Sequence, residues 1–250
     1  MKTTAQKTAA LLGSSRSFSR LSLGDWAVLF FAALCLWAVF PGKGPNLAQL
    51  PPLPGWGLSC SHSAPVQPST AKSLAELCHL AVRTKNPREV YAREKFSDGW
   101  SDLDNDGCDT RQEVLARDFT HPRFDAAKPC RLVGGVLHDP YTGNIMSFTK
   151  PPGAKVQIDH VVALKDAWLS GAWKWNREQR RRYANDPGVL LAVDGPANQE
   201  KGADSIDLWQ PENRAYRCAY ARKQIDVKYR WALSVTASEK SALLRALETC

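Results

Sequence analysis

The sequence predicts an α+β fold, and three observations carry that expectation. Apolar residues recur at helical spacing in several segments, for instance at positions 74, 77, 78, 80 and 81. A glycine-bearing apolar run, a polar turn and a second apolar run form a β-hairpin signature between Gly134 and Phe148. Two short apolar runs, Val156 to Val162 and Val189 to Val193, lie on either side of a long helical stretch. Such a chain places a hairpin and a helix around one polar cluster and packs its other helices outside.

In chain order, Ser73 to Arg83 reads as an amphipathic helix. Asp109-Thr110 caps a second helix, Arg111 to about Asp118, with Val114 and Leu115 turned inward. The hairpin follows, its turn made by Asp139-Pro140-Tyr141-Thr142-Gly143-Asn144. Val156 to Val162 is a strand, Asp166 to Tyr183 is helical with a break near Ser170-Gly171, and Val189 to Val193 is a second strand. Gly195-Pro196-Ala197-Asn198 opens a helical segment that ends before Pro211, and a last helix, Ser238 to Leu247, takes Ser238 as its N-cap.

The 250 residues, 44% of them apolar, suffice for a real core in one or two domains. The first 40 belong to transport rather than to the fold. Lys2, Lys7, Arg16 and Arg20 precede fifteen consecutive apolar residues, Trp26 to Phe40. That run is long for a signal peptide and short of the ~20 residues a spanning helix needs. A cleaved signal and a retained signal-anchor both fit, and either places the rest of the chain outside the cytoplasm, secreted or held to the membrane by this segment alone. Residues 41–70 read as a proline-rich linker, which leaves 71–250 as the folded part.

Export makes disulfides the natural use of Cys60, Cys78, Cys108, Cys130, Cys218 and Cys250, an even set beside Cys35 in the apolar run. No Cys-x-x-Cys occurs, and the spacings do not suit a structural zinc site. Short loops favour Cys108–Cys130 and Cys218–Cys250, with Cys60–Cys78 third. The net charge of +8 is compatible with a polyanionic partner and equally with an ordinary basic surface.

The chemistry concentrates between Val156 and Gly202. Asp159-His160 closes the first strand, Asn198-Gln-Glu-Lys-Gly202 opens the late helix, and Asn185 lies between. An imidazole can take a proton from water near neutral pH. A carboxylate and a carboxamide, here Asp159 and Asn198, are oxygen ligands suited to a hard cation such as Mg²⁺. Lys201, one helical turn past Asn198, is placed to hold phosphate. Together these groups point to phosphodiester hydrolysis.

At these residues the chain resembles the HNH, or ββα-metal, endonucleases. It is most similar to exported bacterial proteins related to the C-terminal nuclease domain of modification-dependent restriction enzymes. The signature runs through Gly107-Cys-Asp-Thr-Arg-Gln-Glu-Val-Leu-Ala-Arg-Asp118, Asp139-Pro-Tyr-Thr-Gly143, Ile158-Asp-His-Val-Val162, Ala184-Asn-Asp-Pro187 and Asn198-Gln-Glu-Lys-Gly202. Trp209, Pro211, Tyr216, Cys218 and Tyr220 continue it, so the resemblance covers about 98–250. It implies an HNH-like ββα-metal core among surrounding helices, stapled by disulfides. It also implies endonuclease activity on DNA, or less readily RNA, with His160 as general base. Asp159 and Asn198 would hold Mg²⁺ or another divalent cation such as Mn²⁺. The chain departs from many members in carrying Val189 where the middle Asn of the motif stands, so Asn185 is expected to orient the imidazole instead.

Two further features have functional and bland readings. Asp102, Asp104, Asp106, Gly107 and Glu113 match the EF-hand loop expression, for structural Ca²⁺ or simply an acidic turn that starts a helix. Lys174, Arg177, Arg180, Arg181 and Arg182, interleaved with Trp173, Trp175 and Tyr183, form either a phosphate-contacting face or a solvated one. Arg180 and Arg181 are the expected substrate contacts there. Arg111 either reaches phosphate or pairs with Asp118 or Glu113. The rival to a nuclease is an inactive nucleic-acid or cell-envelope binding module on the same scaffold.

Overall fold

The computed structural model describes Cys60 and residues 67–250. The leader and nearly all of the linker lie outside the described residues, and so does the choice between signal and anchor. Among the described residues no helix is long and apolar enough to cross a membrane.

The first helix, α1 (Pro68–His79), starts earlier than its apolar pattern suggests, with Pro68 in its first turn. It also stops earlier. Leu80 is extended, and the backbone of Ala81 and Arg83 pairs with Val235 instead of continuing the helix. Helix α2 (Thr110–Asp118) begins where expected, with the Asp109 carboxylate accepting from Gln112 N. The hairpin is present as β2 (Leu132–His138) and β3 (Ile145–Phe148), but a strand absent from the sequence reading, β1 (Phe119–Phe124), pairs with β2 to give the order β1-β2-β3. Its pattern was illegible because Pro122 and a left-handed His121 (φ 52°) interrupt the ladder between Thr120 and Arg123.

The second sheet is smaller and carries the site. Strand β4 (Val156–His160) pairs antiparallel with β5 (Leu190–Asp194), setting Asp159 opposite Leu191 and His160 opposite Leu190. Between them lie α3 (Leu164–Ser170) and α4 (Arg177–Ala184), separated by Gly171 at φ 144°, where the expected break falls. Asn176 and Gln179 close a capping box at the start of α4. Helix α5 (Gly195–Lys201) follows β5 directly, capped by Asp194. The β4–β5–α5 order is compatible with a ββα core. Gly195 passes so close to the Ala154 carbonyl that a β-carbon would collide with it, so the start of α5 is seated directly on the segment before β4.

Helix α6 (Arg217–Arg230) carries no clear amphipathic period, because two of its inward positions are the polar Gln224 and Lys228. The final helix, α7 (Ala237–Leu247), is capped one step before the expected Ser238. Thr236 and Glu239 form its capping box. Three apolar clusters result. One joins α1, α6 and α7, a second surrounds Phe96, Trp168 and Tyr183, and a third joins α2 to both sheets. All three disulfides are closed: Cys60–Cys78, Cys108–Cys130 and Cys218–Cys250.

Candidate active site

Successive residues of a strand face opposite ways, and Asp159 and His160 at the end of β4 obey this. The Asp159 side chain turns to Lys201 of α5 and to Tyr141. Lys201 Nζ donates to Asp159 Oδ1 at 2.8 Å and to the His160 carbonyl at 3.0 Å, while the Tyr141 hydroxyl donates to Oδ2. Both Lys201 and Tyr141 are fully buried. Burial pushes the Asp159 carboxyl above its ordinary value, opposed by the Lys201 charge and by the two hydrogen bonds.

The His160 ring turns the other way, lying parallel to Trp100 at 6.0 Å and to Tyr183 at 6.4 Å between centroids. Its Nε2 lies 2.9 Å from the Ala184 carbonyl. A carbonyl only accepts, so Nε2 carries the proton and Nδ1 is the bare nitrogen of the neutral ring. Burial lowers the imidazole to about 3, against the Ala184 hydrogen bond, and Arg93 and Lys201 add repulsion in the same direction. His160 is therefore neutral at physiological pH, with a lone pair on Nδ1, the form a general base requires.

His160 borders a cavity of about 470 Å³ whose wall includes Arg93, Trp100, Arg111, Gln157, Lys165 and Asn198. A smaller one of about 80 Å³ also meets His160, Arg93 and Trp100. A third, about 260 Å³, shares Trp100 and reaches Arg177 and Arg181. Among the described residues the only carboxylate bordering the first two is Asp159, already paired with Lys201, so the walls present an excess of positive charge. A roomier groove of about 840 Å³ between Lys85, Trp173 and Tyr229 holds none of the expected site residues.

The structure brings His160, Asp159, Asn198 and Arg111 to one cavity and redistributes the rest. Lys201 is not a phosphate-facing lysine. It is fully buried and held by Asp159, because α5 turns that side of its last turn into the core. The Asn185 side chain does not orient the imidazole. Its Oδ1 accepts from Ser101 N at 2.8 Å and its Nδ2 donates to the Arg181 carbonyl, while the preceding residue's carbonyl, Ala184 O, holds the ring. Asn185 thus fixes the segment that carries Trp100. Arg180 spends its guanidinium on the Lys95 and Trp175 carbonyls. Arg181 and Arg182 both pair with Glu178, and Arg177 pairs with Asp98. Half-buried Arg111 pairs with neither Asp118 nor Glu113 and lies 3.5 Å from the Val156 carbonyl. Arg93, Trp100 and Lys165 also line the cavity, although no sequence motif contains them.

For a hard divalent cation the donors are right in kind and incomplete in arrangement. Asn198 offers its carboxamide oxygen, its Nδ2 being held by Gln157. Asp159 has both oxygens engaged and its charge neutralised, whereas Mg²⁺ requires an available carboxylate. Among the described residues, the one group of three potential metal-ligating side chains is Asp102, Asp104 and Asp106, within 4.8 Å of one another. Those carboxylates accept from the backbone amides of Asn105, Asp106, Gly107 and Cys108, as an acidic turn leading into α2 does. Burial raises the Glu113 carboxyl, and the charges of these aspartates add to it.

A neutral histidine at the end of β4 thus borders a cleft lined by cations, a surface suited to an anionic ligand. Residues 109–246 match the family model "GmrSD restriction endonucleases, C-terminal domain", and the chain belongs to that family, whose type of activity is nucleolytic. It is also 41% identical over 184 residues to an uncharacterized secreted protein of the fungus Arthroderma benhamiae, covering 73% of this chain and 85% of that one. No solved structure matches.

Proposed function

We propose that this protein is an endonuclease that hydrolyses phosphodiester bonds of nucleic acid, DNA in preference to RNA, with His160 as general base. The observation that carries the reading is the polarity of the imidazole: Nε2 is fixed on the Ala184 carbonyl and the bare Nδ1 is left for water. Nδ1 takes the proton from a water molecule in the cavity as its oxygen attacks phosphorus; the P–O bond to the leaving nucleotide breaks, and the departing oxygen takes a proton from solvent. Arg111 supplies positive charge to the phosphate from the cavity wall. Asn198 is the cavity's available oxygen donor for a divalent cation, and Asp159 joins it only if Lys201 releases the carboxylate. The three closed disulfides and the secreted relative support a working place outside the cytoplasm, reached through residues 1–40.

The deciding experiment is degradation of plasmid DNA by the native protein and by His160→Ala, with Mg²⁺ or Mn²⁺ and with chelator. A loss of about 10³-fold or more in His160→Ala is expected for removal of a general base that initiates attack. Equal rates for the two proteins would leave His160 without a catalytic role and favour the inactive binding module.

A further inference from the structure

The cleft contains an arginine that no motif led to, and its placement is unlike that of the other cations. Arg93 borders both cavities that meet at His160, the one of about 470 Å³ and the one of about 80 Å³. Its side chain is exposed, and no carboxylate lies within ion-pair distance of it among the described residues. The neighbouring cations are otherwise placed. Lys201 is buried and paired, Arg111 is half-buried beside the Val156 carbonyl, and Lys165 borders the larger cavity alone.

Arg93 also has a firm mount. It opens a single 3-10 turn, Arg93–Lys95, which is followed by Phe96, 1% exposed in the second apolar cluster. Lys95 Nζ donates to the Val90 carbonyl at 2.7 Å and lies 4.7 Å above the Trp168 ring. Arg180 Nε donates to the Lys95 carbonyl at 2.9 Å, so the arginine expected to touch substrate braces this turn instead. Trp100, stacked on His160, walls the same space.

We propose that Arg93 binds the scissile phosphodiester directly, its guanidinium forking onto the non-bridging oxygens of the phosphate that His160-activated water attacks. The inference rests on reading this cleft as a nuclease site and adds the residue that positions the reacting group. A planar guanidinium matches two phosphate oxygens in a way a lysine ammonium cannot. Among the described residues no carboxylate offsets its charge, and its contact with the phosphate would strengthen as negative charge builds on the oxygens during attack. Trp100 and Tyr183 lie parallel to the His160 ring, and Arg93 borders both of the cavities that the ring meets.

The test uses the full chain and a fluorescent DNA duplex of about one helical turn. Binding is followed by anisotropy over a salt series in the His160→Ala background, with and without Arg93→Gln. Arg93→Gln is expected to weaken binding about tenfold and to reduce the slope of log affinity against log salt by about one, the signature of one lost phosphate contact. In the otherwise native protein Arg93→Gln is expected to lower kcat/KM by about 10²- to 10³-fold, with Arg93→Lys recovering only part. An unchanged thermal midpoint shows that the fold survives, as expected for an exposed side chain. Unaltered binding, salt slope and cleavage in a folded Arg93→Gln protein would overturn the assignment while leaving the nuclease reading intact. A native protein that cleaves no nucleic acid, yet loses DNA binding on Arg93→Gln, would overturn the nuclease reading and leave the phosphate contact standing.

Discussion

Among the described residues two lysines are completely buried, and they differ in what surrounds them. Lys228 of α6 meets Asp166 of α3 at 2.8 Å and Glu239 of α7 at 2.5 Å, and Arg83 lies near both acids. This group of four charges ties three helices and the chain after α1 together and borders no part of the His160 cavities. Lys201 instead has one acid, Asp159, and one carbonyl, that of His160. The first cluster fixes helices to one another, whereas the second fixes the end of one strand, with a catalytic candidate on its other face. A buried ion pair adds little net stability over an apolar replacement, but breaking it by deleting one partner is expensive. What such a pair secures is position, and the two regions position different things.

That contrast can be broken by substitution. Lys228→Met leaves Asp166 and Glu239 facing each other with only the more distant Arg83 to offset them. It should cost about 3–5 kcal/mol in chemical denaturation while activity per folded molecule stays near native. Lys201→Met should cost a comparable ~3–5 kcal/mol and also depress cleavage, because the His160 carbonyl loses its anchor. In the double variant Asp159→Asn/Lys201→Met the stability losses should be markedly less than additive, while cleavage stays depressed. If Lys228→Met and Lys201→Met have the same effect on cleavage, the distinction between the two regions fails.

The His160 imidazole is pushed down to about 3 in the folded chain, below the ~6.5 of an unfolded one. Between those values the unfolded chain binds the additional proton. The His160 contribution is therefore complete above pH ~6.5 and is lost as pH falls towards 3, amounting to a few kcal/mol at most. Denaturation midpoints from pH 7 to 4 should fall more steeply for the native protein than for His160→Asn. Parallel curves would mean that the ring is less buried than the structure has it.

The smallest effect is expected at Asn185. Asn185→Ala strands the Ser101 amide and should cost about 1–2 kcal/mol. It should also lower cleavage several-fold through Trp100, without altering the tautomer that Ala184 enforces.

The legible parts of the fold were those with local causes. Asp109 before α2, the turn between β2 and β3, and the apolar runs of β4 and β5 announce themselves over a few residues. Strand β1 and helix α6 were hidden because each breaks its own periodicity, β1 with a bulge and α6 with the polar inward residues Gln224 and Lys228. At the site, His160, Asp159 and Asn198 stood out as a spaced set of residue types. What spacing could not convey is which partner each polar group finds in three dimensions. Lys201 one turn past Asn198 looked free for phosphate, and only the packing of α5 on β4 turns it to Asp159. Asn185 looked like the imidazole's partner, but the chain's course hands that role to the carbonyl one residue earlier. Arg93 and Trp100 carry no motif at all, and their relevance comes from folding across to a strand more than 50 residues away.

The cystine pattern has a consequence for how the chain can be made. Numbering the six described cysteines from the N-terminus, first joins second, third joins fourth and fifth joins sixth, across 18, 22 and 32 residues. No bridge straddles another. A polypeptide threading through a membrane pore into an oxidising space can therefore lock each pair as soon as its second thiol emerges. The native connectivity is the one that first-come pairing of these six produces, and it needs no later reshuffling.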